Sequence, residues 1–527
     1  MKRKKLLLIG LSAVICLSLV ACNSSIKSES ESSNSDNIEV SSIYNVSNQE
    51  EIRKDIDKQI ENGSYDEENA LMLYNPFHTN TLSMYFYFTT DQPAKISYTI
   101  HVDDSSIEDF TQTLNSDYAT THEYQLIGLI PDMENTITLH LEYEDGSSKD
   151  VDYTYTCGSL RGVEEVQLEK ETGESTQEVS DGLYVVLGND SENDDFMYYY
   201  DNNGTIRGEI PIIGYRSHRL LFNNDKMYFS VSQSKMVEMD ALGQITNIFD
   251  LGDYDLHHDY VFDDNGDILI LATDTTKTTV EDMIIRLNVS TGSVDLVCDL
   301  GDLFPTYKSD IVEINSDDNE LDWMHLNTIQ YMGDDQILVS SRETSTIIKI
   351  KNISTEPEID YMLGEETYWE GSDYEQYLFD KENNFVSQTG QHSITYVEDD
   401  SLEDGQYYLY MFNNNFGKSS TNPSYDWKSI GVPTETDDET ATSYYYKYLV
   451  DEKNNTYELV ESFEVPYSPY VSSAQQIDDT IIVDSGMAFN FQEYDSNNEL
   501  IQSFTMEGEN YLYRVYKYTF DDFYFNK

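Results

Sequence analysis

Three histidine-led units recur at one interval along this chain. His258, His325 and His392 each open two short apolar runs separated by a turn, and 67 residues separate each histidine from the next. The turns are polar, as in Asp263-Asp264-Asn265-Gly266-Asp267. Two apolar runs around such a turn are typical of a β-hairpin. A hairpin repeated at a regular interval predicts an array of small sheets rather than one large core.

Strand-like runs and acidic turns continue from about residue 183 to the end without a long helical pattern. Two more units begin at His218 and Ser473. Units of about 40–80 residues over this length predict a six-bladed β-propeller. A two-sheet β-solenoid is the alternative, but these units are too long and irregular for it. Innermost strands of a propeller line a central channel, so the residues that open them converge at one mouth.

The N-terminal part shows two other patterns. Ile52, Ile56 and Ile60 have helical spacing, which predicts a short helix over about 47–61. Between residues 71 and 156 apolar and polar residues alternate, which predicts a small antiparallel β-sandwich. The expected fold class is therefore all-β, with a six-bladed β-propeller preceded by a small N-terminal β-sandwich domain.

The first residues carry an export pattern. Lys2-Arg3-Lys4-Lys5 precede an apolar run over residues 6–20, and Leu19-Val20-Ala21-Cys22 matches the bacterial lipoprotein box. We therefore expect a cleaved signal peptide and a lipid on Cys22. The protein would be exported and lipid-anchored to the cell membrane, facing outside the cytoplasm. An ordinary secretory signal with a chance cysteine is the alternative.

Five segments follow from these patterns: a signal peptide over 1–21, a disordered membrane tether over 22–46, the helix and sandwich over 47–160, a connector over 161–182 and the propeller over 183–527. Only Cys157 and Cys298 lie beyond the signal and the lipidation site, so the chain is no disulfide scaffold. Whether these two cysteines pair is left open.

The formal net charge of −68 argues against a nucleic-acid partner. Binding to phosphates needs Lys and Arg to replace their counterions. The same charge repels anionic substrates, although salt screens this beyond about 8–10 Å. A site for an anion must therefore rely on local His and Arg side chains.

Such side chains are expected at the mouth of the channel. His258, His325 and His392 would project into a common cavity, with His218 as a candidate fourth. Strand alternation would point Asn327 to the same face as His325, two residues earlier. The next strand ends at Ser340-Ser341-Arg342, from which the arginine could reach back over the site. His257 and Ser473 are further candidate substrate contacts.

These residue types suit the transfer of a sulfuryl or phosphoryl group. Neutral imidazole is a nucleophile and a proton acceptor near neutral pH. The arginine guanidinium offers a planar fork of donors to a tetrahedral oxyanion. Losing one such donor to the transition state costs about 2.7–4 kcal/mol.

Plainer interpretations apply to the same residues. A single histidine at a strand start is usually a hydrogen-bonded structural residue, and recurrence at one register is the argument against that. A zinc site is the other alternative, but no Cys pair or HExxH-like spacing supports it, so no metal is expected. Walker, dinucleotide and nucleophile-elbow motifs are absent from the sequence, so neither a cofactor nor a nucleotide donor is expected.

In combination, several motifs resemble the bacterial aryl-sulfate sulfotransferases. They are Asn75-Pro76-Phe77, Gly128-Leu129-Ile130-Pro131, His257-His258-Asp259, Asp322-Trp323-Met324-His325-Leu326-Asn327, Ser340-Ser341-Arg342 and Gly390-Gln391-His392. The resemblance covers most of the chain after the signal peptide. It implies an N-terminal β-sandwich, a six-bladed propeller and sulfuryl transfer from an aryl sulfate to a phenol without a nucleotide.

The resemblance also implies a role for each candidate residue. His392 would be the nucleophile that forms a transient sulfohistidine, and His258 would act as general acid/base or donor. The sulfuryl oxygens would be held by His325, Asn327 and Arg342. His257 could exchange roles with His258. One departure is Glu343, which places an acid directly after the expected anion contact at Arg342.

The resulting hypothesis is an exported sulfotransferase with ping-pong kinetics, whose partners are small aryl sulfates and phenols, and the membrane through its lipid. The alternative is a non-catalytic cell-surface propeller that binds a ligand or a protein partner. An oxidoreductase of propeller type is a third possibility, but only three tryptophans are available to stack a cofactor. The oligomeric state stays open, with a homodimer as one alternative.

Overall fold

A computed structural model describes residues 38–188, 195–314, 320–508 and 510–527. The predicted signal peptide, Cys22 and most of the predicted tether lie outside these residues. No helix in the described ranges is both long enough and apolar enough to cross a bilayer. In the same ranges Cys157 and Cys298 are both buried and free, so they do not pair.

The first ordered elements are two helices, Val40–Ile43 and Val46–Asn62. The Asn45 side chain caps the second helix by accepting a hydrogen bond from the Asn48 N–H at 3.2 Å. This helix buries Ile56 in an apolar cluster with Leu71, Phe77 and Tyr85 of the following domain.

The predicted tether boundary at residue 46 needs correction. Ile43 and Tyr44 are almost fully buried. The Tyr44 hydroxyl donates to the carbonyl of Pro211 in the propeller. These two side chains bury apolar surface that a solvated tether would leave in water, so residues 40–46 do not belong to a tether.

Six strands form the N-terminal domain: Leu71–Tyr74, Ser83–Val102, Phe110–Thr113, Ala119–Ile127, Glu134–Tyr143 and Ser148–Thr156. The second strand is shared, because its first half pairs with the first and fourth strands and its second half with the third and fifth. The two halves pack face to face, with the rings of Phe86 and Tyr153 5.4 Å apart. The predicted sandwich is confirmed.

The propeller consists of six antiparallel blades, numbered here in chain order. The first blade contains Leu183–Val186, Phe196–Tyr200, Ile206–Pro211 and the C-terminal strand Val515–Tyr518. The second contains Leu221–Asn223, Lys226–Ser232, Lys235–Asp240 and Ile245–Asp250. The third contains Tyr254–Phe262, Ile268–Asp274, Met283–Leu287 and Val294–Asp299.

The remaining three blades follow the same order from the axis outward. The fourth contains Leu326–Gly333, Gln336–Ser341, Thr346–Lys351 and Glu358–Leu363. The fifth contains His392–Val397, Gln406–Asn413, Ser443–Asp451 and Thr456–Val465, with Asp380–Lys381 added in parallel. The sixth contains Ser473–Ile477, Thr480–Ser485, Asn490–Tyr494, Leu500–Thr505 and Glu169–Thr172. The predicted six-bladed fold class is confirmed.

Shorter elements connect the blades. They are the helices Leu300–Leu303, Pro305–Ile314 and Glu366–Trp369, the 3-10 turns Glu375–Tyr377, Trp427–Ile430 and Gly486–Ala488, and the parallel two-residue strands Thr279–Val280 and Leu321–Asp322. The last pair lies between the third and fourth blades.

Two strands close the ring. Val515–Tyr518 returns from the C-terminus to become the innermost strand of the first blade. Glu169–Thr172 is the outermost strand of the sixth blade. The predicted connector over 161–182 is therefore partly blade, because its extended backbone satisfies the open edge of the last sheet.

Candidate active site

The three repeat histidines lie at irregularities in the innermost strands of their blades. The ladder between the first two strands shifts register between Leu256 and Tyr260 in the third blade. It shifts between Leu326 and Thr328 in the fourth and between His392 and Thr395 in the fifth. A bulge bends the strand and re-aims its side chains, and bulges are common next to active sites.

Left-handed backbone accompanies these bulges. The φ angle is 57° at His258, 48° at His325 and 56° at Ser393, next to His392. Non-glycine residues adopt this region at a cost and usually only where the surroundings require it. Bulged, left-handed backbone therefore occurs at or directly beside each of the three repeat histidines.

His392 is held as a neutral imidazole. Its Nδ1 lies 2.9 Å from the carbonyl oxygen of Gly390 and 2.8 Å from Oδ1 of Asn414. Both partners are acceptors, so Nδ1 carries the proton and Nε2 keeps its lone pair. Burial lowers the pKa of His392 to about 3, and the cations Arg342 and His325 act in the same direction.

His258 and His325 share one carboxylate. The ring centroids of the two histidines are 4.7 Å apart. Oε2 of Glu281 lies 3.2 Å from Nε2 of His258 and 2.6 Å from Nδ1 of His325. Nδ1 of His258 lies 2.9 Å from the hydroxyl of Tyr513, and Oδ2 of Asp322 lies 2.5 Å from Nδ1 of His325.

The two neighbours therefore differ in charge. Burial lowers the pKa of His258 well below its ordinary value, so this imidazole is neutral at pH 7. Burial and the Arg342 guanidinium also act to lower the pKa of His325. The Asp322 and Glu281 carboxylates outweigh them and raise it to about 9. His325 is thus an imidazolium at pH 7, and all of its hydrogen bonds within the described chain use Nδ1.

Arg342 opens onto a cavity of about 220 Å³, lined by Arg342, Glu343, Gly390, Phe416, Lys418, Ser420 and Tyr470. The guanidinium lies 5.8 Å from the centre of the Tyr470 ring, which meets the Phe416 ring edge-on at 5.0 Å. Two cations and two aromatic rings beside Gly390 suit an anion attached to an aromatic ring.

Glu343, the residue after Arg342, has a structural role. Oε1 of Glu343 accepts hydrogen bonds from the Ser419 hydroxyl at 3.0 Å, the Thr421 N–H at 2.7 Å and the Thr421 hydroxyl at 3.0 Å. Its Oε2 lies 3.9 Å from Nη2 of Arg342. Glu343 therefore ties the cavity wall together without neutralising the guanidinium by close pairing.

Asn327 is near the site but does not face it as expected. Its amide donates to the carbonyl oxygen of Gln391 at 2.7 Å, and the residue is fully buried. The bulge between Leu326 and Thr328 breaks the strand alternation on which the prediction relied. Asn327 supports the loop that carries His392, and this corrects its expected contact with sulfuryl oxygens.

Ser473 also has a structural position. Its hydroxyl donates to the carbonyl of Val515 at 2.9 Å and accepts from the Val515 N–H at 3.2 Å, and it is fully buried. These bonds tie the sixth blade to the innermost strand of the first. The expected substrate contact is therefore corrected, because both functions of the hydroxyl are already used.

His257 and His218 pack behind the site. The His257 ring meets the His258 ring edge-on at 5.3 Å, and His258 is the one of the two that hydrogen-bonds to Glu281 and packs against the His325 ring. Among the described residues neither nitrogen of His218 has a hydrogen-bond partner, while His257 interacts with the backbone of Ala272. His218 packs edge-on against Tyr260 and Tyr513.

Sequence reasoning missed the polar centre of the ring. Asp259 accepts from Arg219 through both carboxylate oxygens at 3.1 Å, and from Arg514 at 3.0 Å. Arg514 also donates to the carbonyls of His218 and Asn327. Asp259 in the His-His-Asp motif was visible in the sequence, but its two arginine partners come from distant segments.

Two overlapping groups carry atoms that could bind a metal: His257, His258 and Glu281, and Glu281, Asp322 and His325, each within 4.8 Å. Ligand atoms around tetrahedral zinc lie about 3.3 Å apart when the bonds are about 2.0–2.1 Å. The distances of 2.5 and 2.6 Å to His325 are shorter and match charge-assisted hydrogen bonds. The array is therefore hydrogen-bonded in this structure.

Family models match two parts of this chain. Residues 168–518, more than half of the chain, match the family model for arylsulfotransferase (ASST). The chain belongs to the arylsulfotransferase family. Residues 71–158 match the arylsulfotransferase Ig-like domain. Family membership implies a sulfotransferase and sulfuryl transfer in general. No curated protein sequence matches this arylsulfotransferase at a significant level.

Solved structures resemble this chain only distantly. A protein described as a 6-phosphogluconolactonase from Bacteroides uniformis is 11% identical, with a TM-score of 0.36 and coverage of 81% of this chain and 99% of its own. BamB from Moraxella catarrhalis is 10% identical, with a TM-score of 0.30 and coverage of 66% of this chain and 92% of its own. The WD40 domain of Toxoplasma gondii coronin is 9% identical, with a TM-score of 0.32 and coverage of 64% of this chain and 76% of its own. At these TM-scores the likeness carries no functional argument.

Proposed function

We propose that this protein moves a sulfuryl group from an aryl sulfate to a phenol in two steps through His392. The observation that carries the proposal is the state of that side chain. Nδ1 is bound to Gly390 and Asn414, and the pKa of about 3 leaves Nε2 unprotonated at pH 7. A neutral imidazole with a free Nε2 is a competent nucleophile.

In the first step Nε2 of His392 attacks sulfur, the N–S bond forms and the S–O bond to the aryl group breaks. The aryl oxygen leaves with the electron pair as a phenolate. In the second step an acceptor phenol oxygen attacks sulfur, and the N–S electron pair returns to Nε2. The acceptor's proton passes to solvent, where it balances the phenolate released in the first step. Atoms and charges balance without a nucleotide.

The charged groups near His392 support this reaction. Arg342 and the His325 imidazolium supply positive charge for the sulfuryl oxygens, while His392 stays neutral beside them. Opposite protonation of neighbouring titratable groups marks separate roles in a site. Phe416 and Tyr470 give an aryl ring apolar contact in the cavity.

The test is initial-rate kinetics of the purified full chain with 4-nitrophenyl sulfate as donor and phenol as acceptor. We expect nitrophenol release that depends on phenol, and parallel double-reciprocal lines. His392→Asn should lower kcat at least 1000-fold, as loss of a covalent nucleophile does. The matched control is His101→Asn, an exposed histidine of the sandwich domain, which should retain the wild-type rate.

Mass spectrometry of protein quenched with donor alone gives the second measurement. A sulfuryl adduct on the peptide that contains His392 is expected. Absence of both nitrophenol release and the adduct, in a protein with a cooperative unfolding transition, would contradict the proposal. That outcome would favour the non-catalytic binding module.

A further inference from the structure

No sequence motif singled out Glu281. Its backbone is hydrogen-bonded to the third blade on one side and to the fourth blade on the other. It follows the short strand Thr279–Val280, which pairs in parallel with Leu321–Asp322. Its N–H donates to the Thr273 hydroxyl at 2.8 Å, and its carbonyl accepts from the Leu326 N–H at 3.1 Å. These contacts fix Glu281 between the third and fourth blades.

The backbone of Glu281 is also strained. Its φ angle is 56°, in the left-handed region. A non-glycine residue there costs of order 1–3 kcal/mol and persists only where the surroundings impose it. The strain places the carboxylate where two histidines from two blades can reach it.

One oxygen of Glu281 then serves both rings. Oε2 accepts from Nε2 of His258 at 3.2 Å and from Nδ1 of His325 at 2.6 Å. With Nε2–H of His258 donating to Glu281, its Nδ1 keeps a lone pair, and the single Tyr513 O–H is shared between that nitrogen at 2.9 Å and the His258 carbonyl oxygen at 3.1 Å. With Nδ1–H of His325 donating to the carboxylates, only Nε2 remains to face a ligand.

The groups that surround this pair come from every element packed against it. They are the carboxylates of Glu281 and Asp322, the rings of His257 and His258, the guanidinium of Arg342 and the phenol of Tyr513. Two carboxylates therefore face one guanidinium and the imidazole of His325. Two negative charges beside one guanidinium favour one additional proton among these side chains. His325 is the ring in contact with both carboxylates.

We propose that Glu281 is a positioning residue that keeps His258 in its Nε2–H tautomer and His325 as an imidazolium, so that His325 offers its Nε2–H to the sulfuryl group. The inference rests on the proposed function and assigns a residue to the same site. Glu281 touches no reacting atom and acts through the two histidines. Asp322 assists at His325 and lies 3.6 Å from Nη2 of Arg342, but its described contacts do not reach His258.

The experiment is Glu281→Gln, which keeps the size of the side chain and removes its charge. Without the carboxylate, the pKa of His325 should fall below about 9, and its Nε2–H should be lost at a lower pH. We expect kcat at pH 8 to fall on the order of 100-fold, the size of losing one transition-state donor. The alkaline limb of the pH profile should move to lower pH, and KM should change less than kcat.

Histidine NMR makes the test independent of activity. The chain has nine histidines, so selective ¹⁵N labelling with one His→Gln variant per assignment resolves them. In the wild type we expect His258 as the Nε2–H tautomer and His325 protonated at pH 7. In Glu281→Gln we expect a lower His325 pKa. This result stands even if no sulfuryl transfer is found, so it separates failure of this inference from failure of the proposed function.

Three variants complete the design. Glu281→Asp keeps the charge and should restore the alkaline limb toward the wild type at least in part. Glu238→Gln removes a half-buried carboxylate bonded to Tyr228 and Thr246 in the second blade and should leave both histidines and the rate unchanged. If Glu281→Gln fails to unfold cooperatively, Asp322→Asn replaces it and should lower the His325 pKa without altering the His258 tautomer.

Either of two results would overturn the inference. One is a His325 pKa and a His258 tautomer that are the same in Glu281→Gln and the wild type. The other is a stoichiometric divalent metal, detected by elemental analysis of the wild type and lost in Glu281→Gln, which would make the carboxylate a metal ligand.

Discussion

At the scale of the residue, the partner of Nδ1 decides what each histidine can do. Nδ1 of His392 meets two neutral acceptors, and Nδ1 of His325 meets two carboxylates. The first environment leaves a buried ring neutral, and the second stabilises its proton. Three residues that are equivalent in the repeat therefore have different chemistry.

This difference predicts a broad pH optimum. His392 must be neutral, and its pKa is lowered to about 3, so activity is lost only as pH falls toward that value. His325 must be protonated, and its pKa is raised to about 9, so activity is lost as pH rises through that value. We expect kcat/KM for 4-nitrophenyl sulfate to be flat between about pH 5 and 8. A limb near 6.5, the ordinary histidine value, would contradict these environments.

At the scale of the element, a bulge in the innermost strand of the third, fourth and fifth blades sets the site. The loop that carries His392 needs left-handed backbone at Gly390, with φ of 61°, where a Cβ would meet the Phe416 carbonyl oxygen at 2.9 Å. The neighbouring blade supports this loop through the bond from Asn327 to the Gln391 carbonyl. The position of the loop that carries His392 therefore depends on contacts between blades rather than within one blade.

Asn327→Ala tests this inter-blade support. It leaves the Gln391 carbonyl buried without that donor, which should cost about 1–3 kcal/mol in the free energy of unfolding. The looser His392 loop should lower kcat more than 10-fold while KM changes little. Urea unfolding and initial rates check the two effects.

The matched control for Asn327→Ala is Asn288→Ala. This asparagine donates to Asp267 in an outer hairpin of the third blade. It should lower stability without lowering kcat. Equal losses of kcat in the two variants would show that activity follows global stability instead of the loop.

At the scale of the whole molecule, closure of the ring depends on a buried network at the seam between the first and sixth blades. Nζ of Lys517 lies 2.9 Å from Oε2 of Glu493 and 2.6 Å from the Ser180 carbonyl oxygen, and both charged side chains are fully buried. The Tyr184 hydroxyl donates to the same carboxylate. The C-terminal strand, the sixth blade and the end of the connector meet at this point.

Lys517→Ala should therefore destabilise the whole propeller. Removing one partner leaves the Glu493 charge buried and unpaired, which costs about 3–5 kcal/mol. The measurement is the urea midpoint at pH 7. Lys453→Ala, which removes an exposed ion pair with Asp404, is the control and should not shift the midpoint measurably. Equal midpoints for the two variants would contradict a role of the seam in stability.

Sequence reasoning reached the fold and the three histidines because periodicity reports both. The interval of 67 residues reflects one blade per unit, and equivalent positions in a closed ring must converge. It could not assign Asn327 or Ser473 correctly. Alternation along a strand does not hold through a bulge, and the bond between Ser473 and Val515 joins residues 42 positions apart.

The sequence by itself therefore determined a β-propeller after a β-sandwich, and it singled out His258, His325 and His392 as candidate site residues. Only the tertiary structure decided the state of each ring. Asn414 lies 22 residues from His392, Glu281 lies 23 from His258, and Tyr513 lies 255 from His258. Protonation depends on burial and on charges within a few ångströms, and closure of the ring is what brings these distant residues that close.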